Sequence, residues 1–357
     1  MYDVTIIGAG PAGSTLARLI GRHCRVLLVD KRPLDGDATD AASSKCCGGL
    51  LAPDAQAMLS KMGLGLPKSV LVDPQLFVVR AIDSRRNLER YYQRYYINMD
   101  RLKFDRWLLS MVPPDVERGL GWRFRSCQRS GEAITMRLTR RGQIRRVQTR
   151  ILVGADGASS RVRKLALADR PSPNVYIAIQ HWVEANRQLP YFSTLFDPRI
   201  TDYYCWTIPK QEHLIIGAAL RPRDRVREKF EMLRQSLADW GIEFGKTVRR
   251  EAAMLLRPTR PWNVSTGEPQ ISLIGEAAGF ISPSSAEGLS YAFKSAVIAA
   301  DILRKSPDDF HRRMRARTRR LRANLLLKNI KSHFIYDSRL RGAIMRSGLA
   351  GMHLLKS

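Results

Sequence analysis

Three glycines, Gly8, Gly10 and Gly13 in "IIGAGPAGS", spell GxGxxG directly after an apolar run and at the mouth of a helical pattern. The first glycine permits a tight turn, the second lets backbone approach a pyrophosphate, and the third lets helix pack on strand, with the helix N-terminus meeting the negative charge. Asp30 closes the next apolar run, 20 residues after Gly10, where a carboxylate can accept hydrogen bonds from ribose hydroxyls. An acid there opposes the 2′-phosphate of NADP, so these residues leave FAD or NAD as the ligand. The sequence holds no second GxGxxG. Reducing power for a flavin at this site is therefore expected from transient NAD(P)H binding or from a reduced carrier protein.

A second cluster, "KCCGGLLAP", places Cys46 and Cys47 before Gly48 and Gly49. The other cysteines are Cys24, Cys127 and Cys205; there is no CxxC, and the six histidines fall at no ligand spacing to them, so no metal is expected. Adjacent cysteines bridge only through a strained ring, and five cysteines in 357 residues do not make a disulfide scaffold. A reducing cytosol is the expected home. No signal-peptide pattern precedes "YDVTIIGAG", and no stretch reaches the roughly 18 apolar residues of a membrane span.

These groups need a scaffold. "YDVTII", "GAGPAGSTLARLIGR" and "CRVLLVDKR" read as strand, helix and strand. "DRLKFDRWLLSMV" reads as a helix capped by Asp100, "RILVGADGASSRVR" returns to strand, glycine turn and helix, and "PQISLIGEAAGF" does so again. Residues 66–97 and 171–260 are rich in β-formers and aromatics, broken by one helix in which Val226, Phe230, Leu233, Leu237 and Trp240 step by three and four before Gly241. The expected class is α/β: a Rossmann-like dinucleotide-binding domain assembled from 1–65, 98–170 and 261–305, an antiparallel substrate domain inserted as 66–97 and 171–260, and a basic helical segment, 306–357.

The formal charge is +27 and the pI about 10.6. From His311 onward there are 13 Lys or Arg against one acid, Asp337. Such a block favours an anionic partner. An anionic lipid surface and an acidic electron carrier are the two expected, which would put the protein at the inner face of the membrane; nothing in the tail resembles a groove-reading motif, so nucleic acid is not expected.

"GAGPAG", "LVGADGASSRVR" and "LIGEAAGFISPSSAEGLSYA" resemble, in order and separation, the three flavin segments of the p-hydroxybenzoate-hydroxylase-like FAD superfamily. "KCCGGLLAP" resembles the Cys-Gly-Gly segment of its geranylgeranyl reductases, and "YYCWTIPK" their YxWxFP motif, with Ile208 for Phe and a following GxG reduced to Gly217 and Ala219. Across nearly the whole chain the likeness is to the CbrA-type bacterial branch of that family. The resemblance implies FAD held by Gly8, Gly10, Ala12, Gly13, Asp30, Lys31, Lys45, Cys47, Gly48, Gly49, Arg101, Asp156, Gly157, Glu276, Gly288 and Leu289. In it Arg101 bonds pyrophosphate or ribityl oxygens, Glu276 stands where the family has an aspartate on the ribityl chain, and Gly288 and Leu289 offer backbone to the flavin ring.

The activity implied is reduction of C=C bonds in an isoprenoid or other apolar substrate by hydride from reduced flavin. A monooxygenase or halogenase on the same fold is the alternative, and a non-catalytic flavin-binding, membrane-associated protein a third possibility. "YYCWTIP" carries Tyr204 where the halogenases carry Trp, which weakens the halogenase version. Cys47, Tyr204 and Trp206 are the candidate catalytic residues, with Cys47, Tyr204 and His181 as proton donors. Tyr91, Tyr92, Tyr95, Tyr96, Tyr176, Trp182 and Phe192 join Tyr204 and Trp206 as candidate pocket lining.

Overall fold

In the central layer Tyr2–Ile7 runs parallel to Val26–Asp30 on one side and to Gln143–Gly154 on the other. The computed structural model describes residues 1–36, 45–168, 174–305 and 307–354; the expected domain boundaries at 170/171 and 305/306 touch residues outside that set. Glu117–Leu120 and Ile271–Leu273 extend the layer in parallel at either side, and an antiparallel hairpin, Arg123–Ser130 with Ala133–Arg140, continues from Gln143–Gly154. Parallel strands covered on both faces read as unbroken apolar runs, which is why "VTII" and "VLLVD" carry no alternation. Helices Pro11–Ile20 and Leu289–Lys305 cover one face, and buried Ala292, Ala296, Ala299 and Ala300 let the second approach closely.

The glycine turn after the first strand is closed by contact as much as by dihedral angle. Gly8 has φ +109°, and a Cβ there would lie 2.4 Å from the Ala155 carbonyl oxygen; one on Gly13 would lie 1.8 Å from the Gly8 oxygen. Both positions tolerate only glycine.

A second sheet takes its strands in the spatial order Phe244–Leu256, Val175–Ala185, His213–Leu220, Cys205–Lys210, Phe192–Phe196, Leu76–Asp83, Leu88–Asn98 and Leu50–Leu51. It departs from the expected antiparallel sheet at one pairing, since Phe192–Phe196 runs parallel to Leu76–Asp83. It also reaches further back in sequence: Leu50–Leu51 pairs with Ile97 and Asn98, so the Cys-Gly-Gly segment feeds the edge of this sheet. Helix Val226–Asp239 covers one face with Phe230, Leu233 and Leu237, and Gly241 at φ +71° ends it.

The tail forms three helices, Phe310–Arg317, Arg319–Tyr336 and Ser338–Ser347. They return across the second sheet. Arg341 meets Asp83 at 2.8 Å with both side chains buried, Arg86 donates to the Ser338 carbonyl, and Met352 bridges Tyr91.

Candidate active site

Between the two sheets and the tail lies one continuous cavity of about 1710 Å³. That exceeds the roughly 300–1,000 Å³ of a single-ligand pocket, leaving room for a dinucleotide and a second molecule. Its lining runs from Gly8 and Gly10 through Cys47 to Tyr204, Trp206 and the tail helices.

The first end fits a pyrophosphate. A Cβ on Gly10 would meet nothing within 4 Å, in contrast to Gly8 and Gly13. Ala12 lines the same space at the N-terminus of helix Pro11–Ile20, where the first-turn amides have no intrahelical acceptor. Asp30 accepts from the Ala9 N–H at 2.7 Å and from the Arg32 backbone and guanidinium, which fixes its carboxylate at the strand end; Lys31 is exposed and lines the rim.

From Asp30 a chain of alternating charge leads inward. Arg32 meets Asp30 at 3.2 Å and Asp105 at 2.9 Å, Asp105 meets the Arg101 Nε at 2.8 Å, and the Arg101 Nη1 lies 3.4 Å from the Cys47 sulfur. Burial drives the Asp105 carboxyl up, but the two guanidinium groups outweigh it and hold it low. Arg101 lines the cavity, yet its Nε edge is spent on Asp105, so only its terminal nitrogens are left for oxygens of a cofactor. In this structure Arg101 braces Cys47.

Cys47 accepts two N–H bonds, from Arg101 and from Gly49 at 3.4 Å. Burial pushes the thiol up; the Arg101 charge, the Gly49 amide and Lys45 more than offset it, making Cys47 more acidic than an ordinary cysteine. The site thus favours the thiolate more than a free cysteine's surroundings do. Cys46 is different: its thiol faces the Ala178 carbonyl at 3.7 Å and burial drives it upward. Both are free thiols.

The glycines after them make room for protein atoms. A Cβ on Gly48 would strike Ile208 Cδ1 at 2.4 Å; one on Gly49, at φ +61°, would lie 2.2 Å from the Met99 oxygen and 2.6 Å from the Lys210 Nζ. Lys210 is buried and donates to the Gly49 carbonyl (3.2 Å), the Met99 carbonyl (2.9 Å) and the Asn98 Oδ1 (2.5 Å). Burial lowers it to about 7; three oxygens around Nζ match the three donors of an ammonium and oppose that fall. Lys210 thus pins the Cys-Gly-Gly turn to the second sheet.

On the opposite wall Gly157 and Glu276 face Lys45. Glu276 accepts from the Leu256 N–H at 3.2 Å and pairs with Lys45 at 3.5 Å. Asp156 lines the cavity, but its carboxylate is engaged by the Ser160 hydroxyl and the Arg161 and Val162 amides, capping the helix Arg161–Ala166, while burial pushes its carboxyl above the usual carboxylate range. Its part is to shape the turn. At the start of helix Leu289–Lys305, Gly288 and Leu289 line the cavity, and among the described residues no acceptor takes their N–H groups.

Beyond Cys47 the cavity is aromatic. Tyr92 and Tyr96, an even number of residues apart on Leu88–Asn98, share it with Phe192, Tyr204 and Trp206. Four expected lining residues lie elsewhere. Tyr91 packs on Tyr191, Tyr95 is exposed beside Phe77, Tyr176 joins the buried Tyr203, and Trp182 stands under Arg249. His181 packs on Phe230 at 4.0 Å, on the face away from the cavity, with burial lowering its basicity. Tyr204 donates to the Ser285 carbonyl at 3.0 Å, and burial holds its phenol well above the usual range, so it keeps its proton. Trp206 packs where a Cβ on Gly217 would collide at 2.4 Å, and its indole N–H, lying against that glycine, is buried with no hydrogen-bond partner among the described residues.

Several contributors escaped the sequence reading. Arg32 and Asp105 carry no motif, Lys210 was the unremarked end of "YYCWTIPK", and the tail supplies Tyr336. The Arg257 guanidinium lies 4.2 Å from the Tyr203 ring and 4.5 Å from that of Tyr336, a cation cage that anchors the tail to the chamber.

No family model matches the chain. Protein CbrA of Escherichia coli strain K12 is 40% identical over 355 residues, 99% of this chain and 99% of the relative. A geranylgeranyl bacteriochlorophyll reductase-like protein from Thermoplasma acidophilum superposes with a TM-score of 0.81 at 17% identity, covering 99% of this chain and 92% of that one. PqsL, a probable FAD-dependent monooxygenase from Pseudomonas aeruginosa, superposes with a TM-score of 0.69 at 20% identity, covering 97% and 99%. Both likenesses are of fold.

Proposed function

The chain belongs to the CbrA family, with the fold of the geranylgeranyl reductase-like flavoproteins, and from that premise we propose that it is an FAD-dependent oxidoreductase reducing C=C bonds of an isoprenoid or other apolar substrate. The observation that carries the reading is the continuity of the cavity, from the open space at Gly10, past the braced Cys47, into the aromatic chamber. FAD, when bound there, supplies hydride transfer from its reduced ring to a carbon–carbon double bond.

The chain's own residues do the rest. The first-turn amides near Ala12 would bind pyrophosphate and Asp30 a ribose, while Glu276 and Lys45 flank the linking chain. The N–H groups of Gly288 and Leu289 would donate to the ring's carbonyl edge at a helix N-terminus. Cys47 would present its sulfur to the ring from the other wall, oriented by Arg101. Tyr204 and Trp206 would wall the substrate and exclude water. Electrons would come from NAD(P)H or from a reduced carrier protein.

Anaerobic photoreduction of the FAD-loaded protein, followed by rapid mixing with a prenyl lipid, tests this. Reoxidation by the lipid with a saturated product is expected. Indifference to the lipid, with reoxidation by oxygen and an oxygenated product, would replace the reading with a monooxygenase or halogenase.

A further inference from the structure

Helix Arg319–Tyr336 is apolar on two faces. Leu321 and Leu325 turn inward and are buried; Leu326, Leu327, Ile330 and Phe334 turn outward and are 46%, 65%, 57% and 47% exposed. A helix packed on a globular surface ordinarily shows water its polar side. The next helix repeats the pattern with Leu340 and Ile344, and Leu349 follows at 72% exposure. Leu327, Ile330, Phe334 and Ile344 also line the cavity, so the rim of the chamber and the exposed stripe are made of the same side chains.

The stripe is continued by charge. Arg312, Arg315, Arg319 and Arg322 line a shallow cleft of about 400 Å³. Along the helix Arg319, Arg322, Leu326 and Ile330 follow one another at three and four residues, one row that begins basic and ends apolar. Lys331 and Arg339 stand exposed beside it.

We propose that this face seats the cavity mouth on an anionic phospholipid bilayer, the arginine row meeting lipid phosphates while Leu327, Ile330 and Phe334 enter the acyl boundary. Exposed apolar stripes flanked by Lys and Arg bind such interfaces by both terms together. A second copy of this chain fits poorly, because it would bring the same arginine rows together on chains of charge +27. An acidic protein would answer the charge and leave the stripe in water. The inference rests on the apolar-substrate reading for its purpose: substrate would pass from the bilayer into the chamber without crossing water.

The test is flotation of the FAD-loaded full chain with vesicles of phosphatidylcholine alone or mixed with phosphatidylglycerol. The wild type is expected to float with the mixed vesicles and to lose binding as salt rises. The double variant Ile330→Glu, Phe334→Glu should lower partitioning about tenfold or more, and Arg315→Gln, Arg319→Gln should lower it on the anionic vesicles alone. Melting temperature and flavin spectrum serve as folding controls for both variants. A wild type that stays in the soluble fraction with both vesicle types overturns the proposal, as does a stripe variant that floats undiminished. Elution at twice the monomer mass, abolished by the stripe variant and without vesicle binding, overturns it in favour of a second copy. Flotation involves no turnover, so its failure leaves the redox reading to be judged on a detergent-dispersed lipid.

Discussion

At the end of the cavity formed by the glycine turn, Asp30, Arg32, Asp105 and Arg101 alternate in charge and lead to Cys47, each engaged by the next at 3.4 Å or less. At the tail end Leu327, Ile330 and Phe334 face outward from a helix that buries a different row. Buried charge chains contribute little net stability, since desolvation offsets attraction, but removing one member leaves its neighbour uncompensated. The first end is therefore a place where single atoms matter. The second is a place where side chains can change without the fold noticing.

The sharpest contrast lies within the first end itself. Gly13→Ala should cost more than about 4 kcal/mol, read as loss of soluble protein or of thermal stability, because its Cβ would sit 1.8 Å from a backbone oxygen. Gly10→Ala should leave the melting temperature of the cofactor-free protein unchanged and weaken FAD binding about tenfold by titration, about 1.4 kcal/mol. If both variants unfold alike, the space at Gly10 is not a ligand's.

Lys210→Met comes next. It leaves the oxygens of Gly49, Met99 and Asn98 without their donor, and should cost about 3 kcal/mol in denaturant unfolding.

Arg101→Gln probes the inner end of the charge chain. The alkylation midpoint of Cys47 should move to higher pH in the variant. Because the fold makes Cys47 more acidic than the free residue, the pair stabilises fully above the unfolded thiol's value of about 8.5 and loses that contribution as pH falls through the folded value. The variant's stability deficit should accordingly be larger at alkaline than at mildly acidic pH. An equal deficit at both would mean that Arg101 serves Asp105 alone. Smallest of all, Ile330→Ser and Phe334→Ser should move unfolding by no more than about 0.5 kcal/mol, which would separate the stripe from the core.

What could be read in the sequence was what is local. The GxGxxG turn, its helix and Asp30 lie within thirty residues and obey spacing rules, and the Val226–Asp239 helix announces itself by steps of three and four. The charge chain could not be read this way, because Arg32, Asp105, Arg101 and Cys47 converge from three separate segments and none is unusual in its own context. Gly48 and Gly49 were assigned to the cofactor; both line the cavity, and what the sequence did not show is that the space a Cβ would take is held by Ile208, Met99 and Lys210. The tail was read by its charge. Its two apolar rows are visible in "LRANLLLKNIKSHFIY", but periodicity does not say which row meets the protein, and only packing against the first domain decided that Leu321 and Leu325 go in.

The chamber is completed by a segment that follows both sheets in the chain. Both sheets consist of residues before 274, and domains form in the order in which they are made. Synthesis thus supplies every strand of both sheets before Tyr336 can enter its cage and Arg341 can reach Asp83. The helices that close the chamber carry their apolar stripe with them. Closure of the chamber and exposure of the stripe are one event in the life of the molecule.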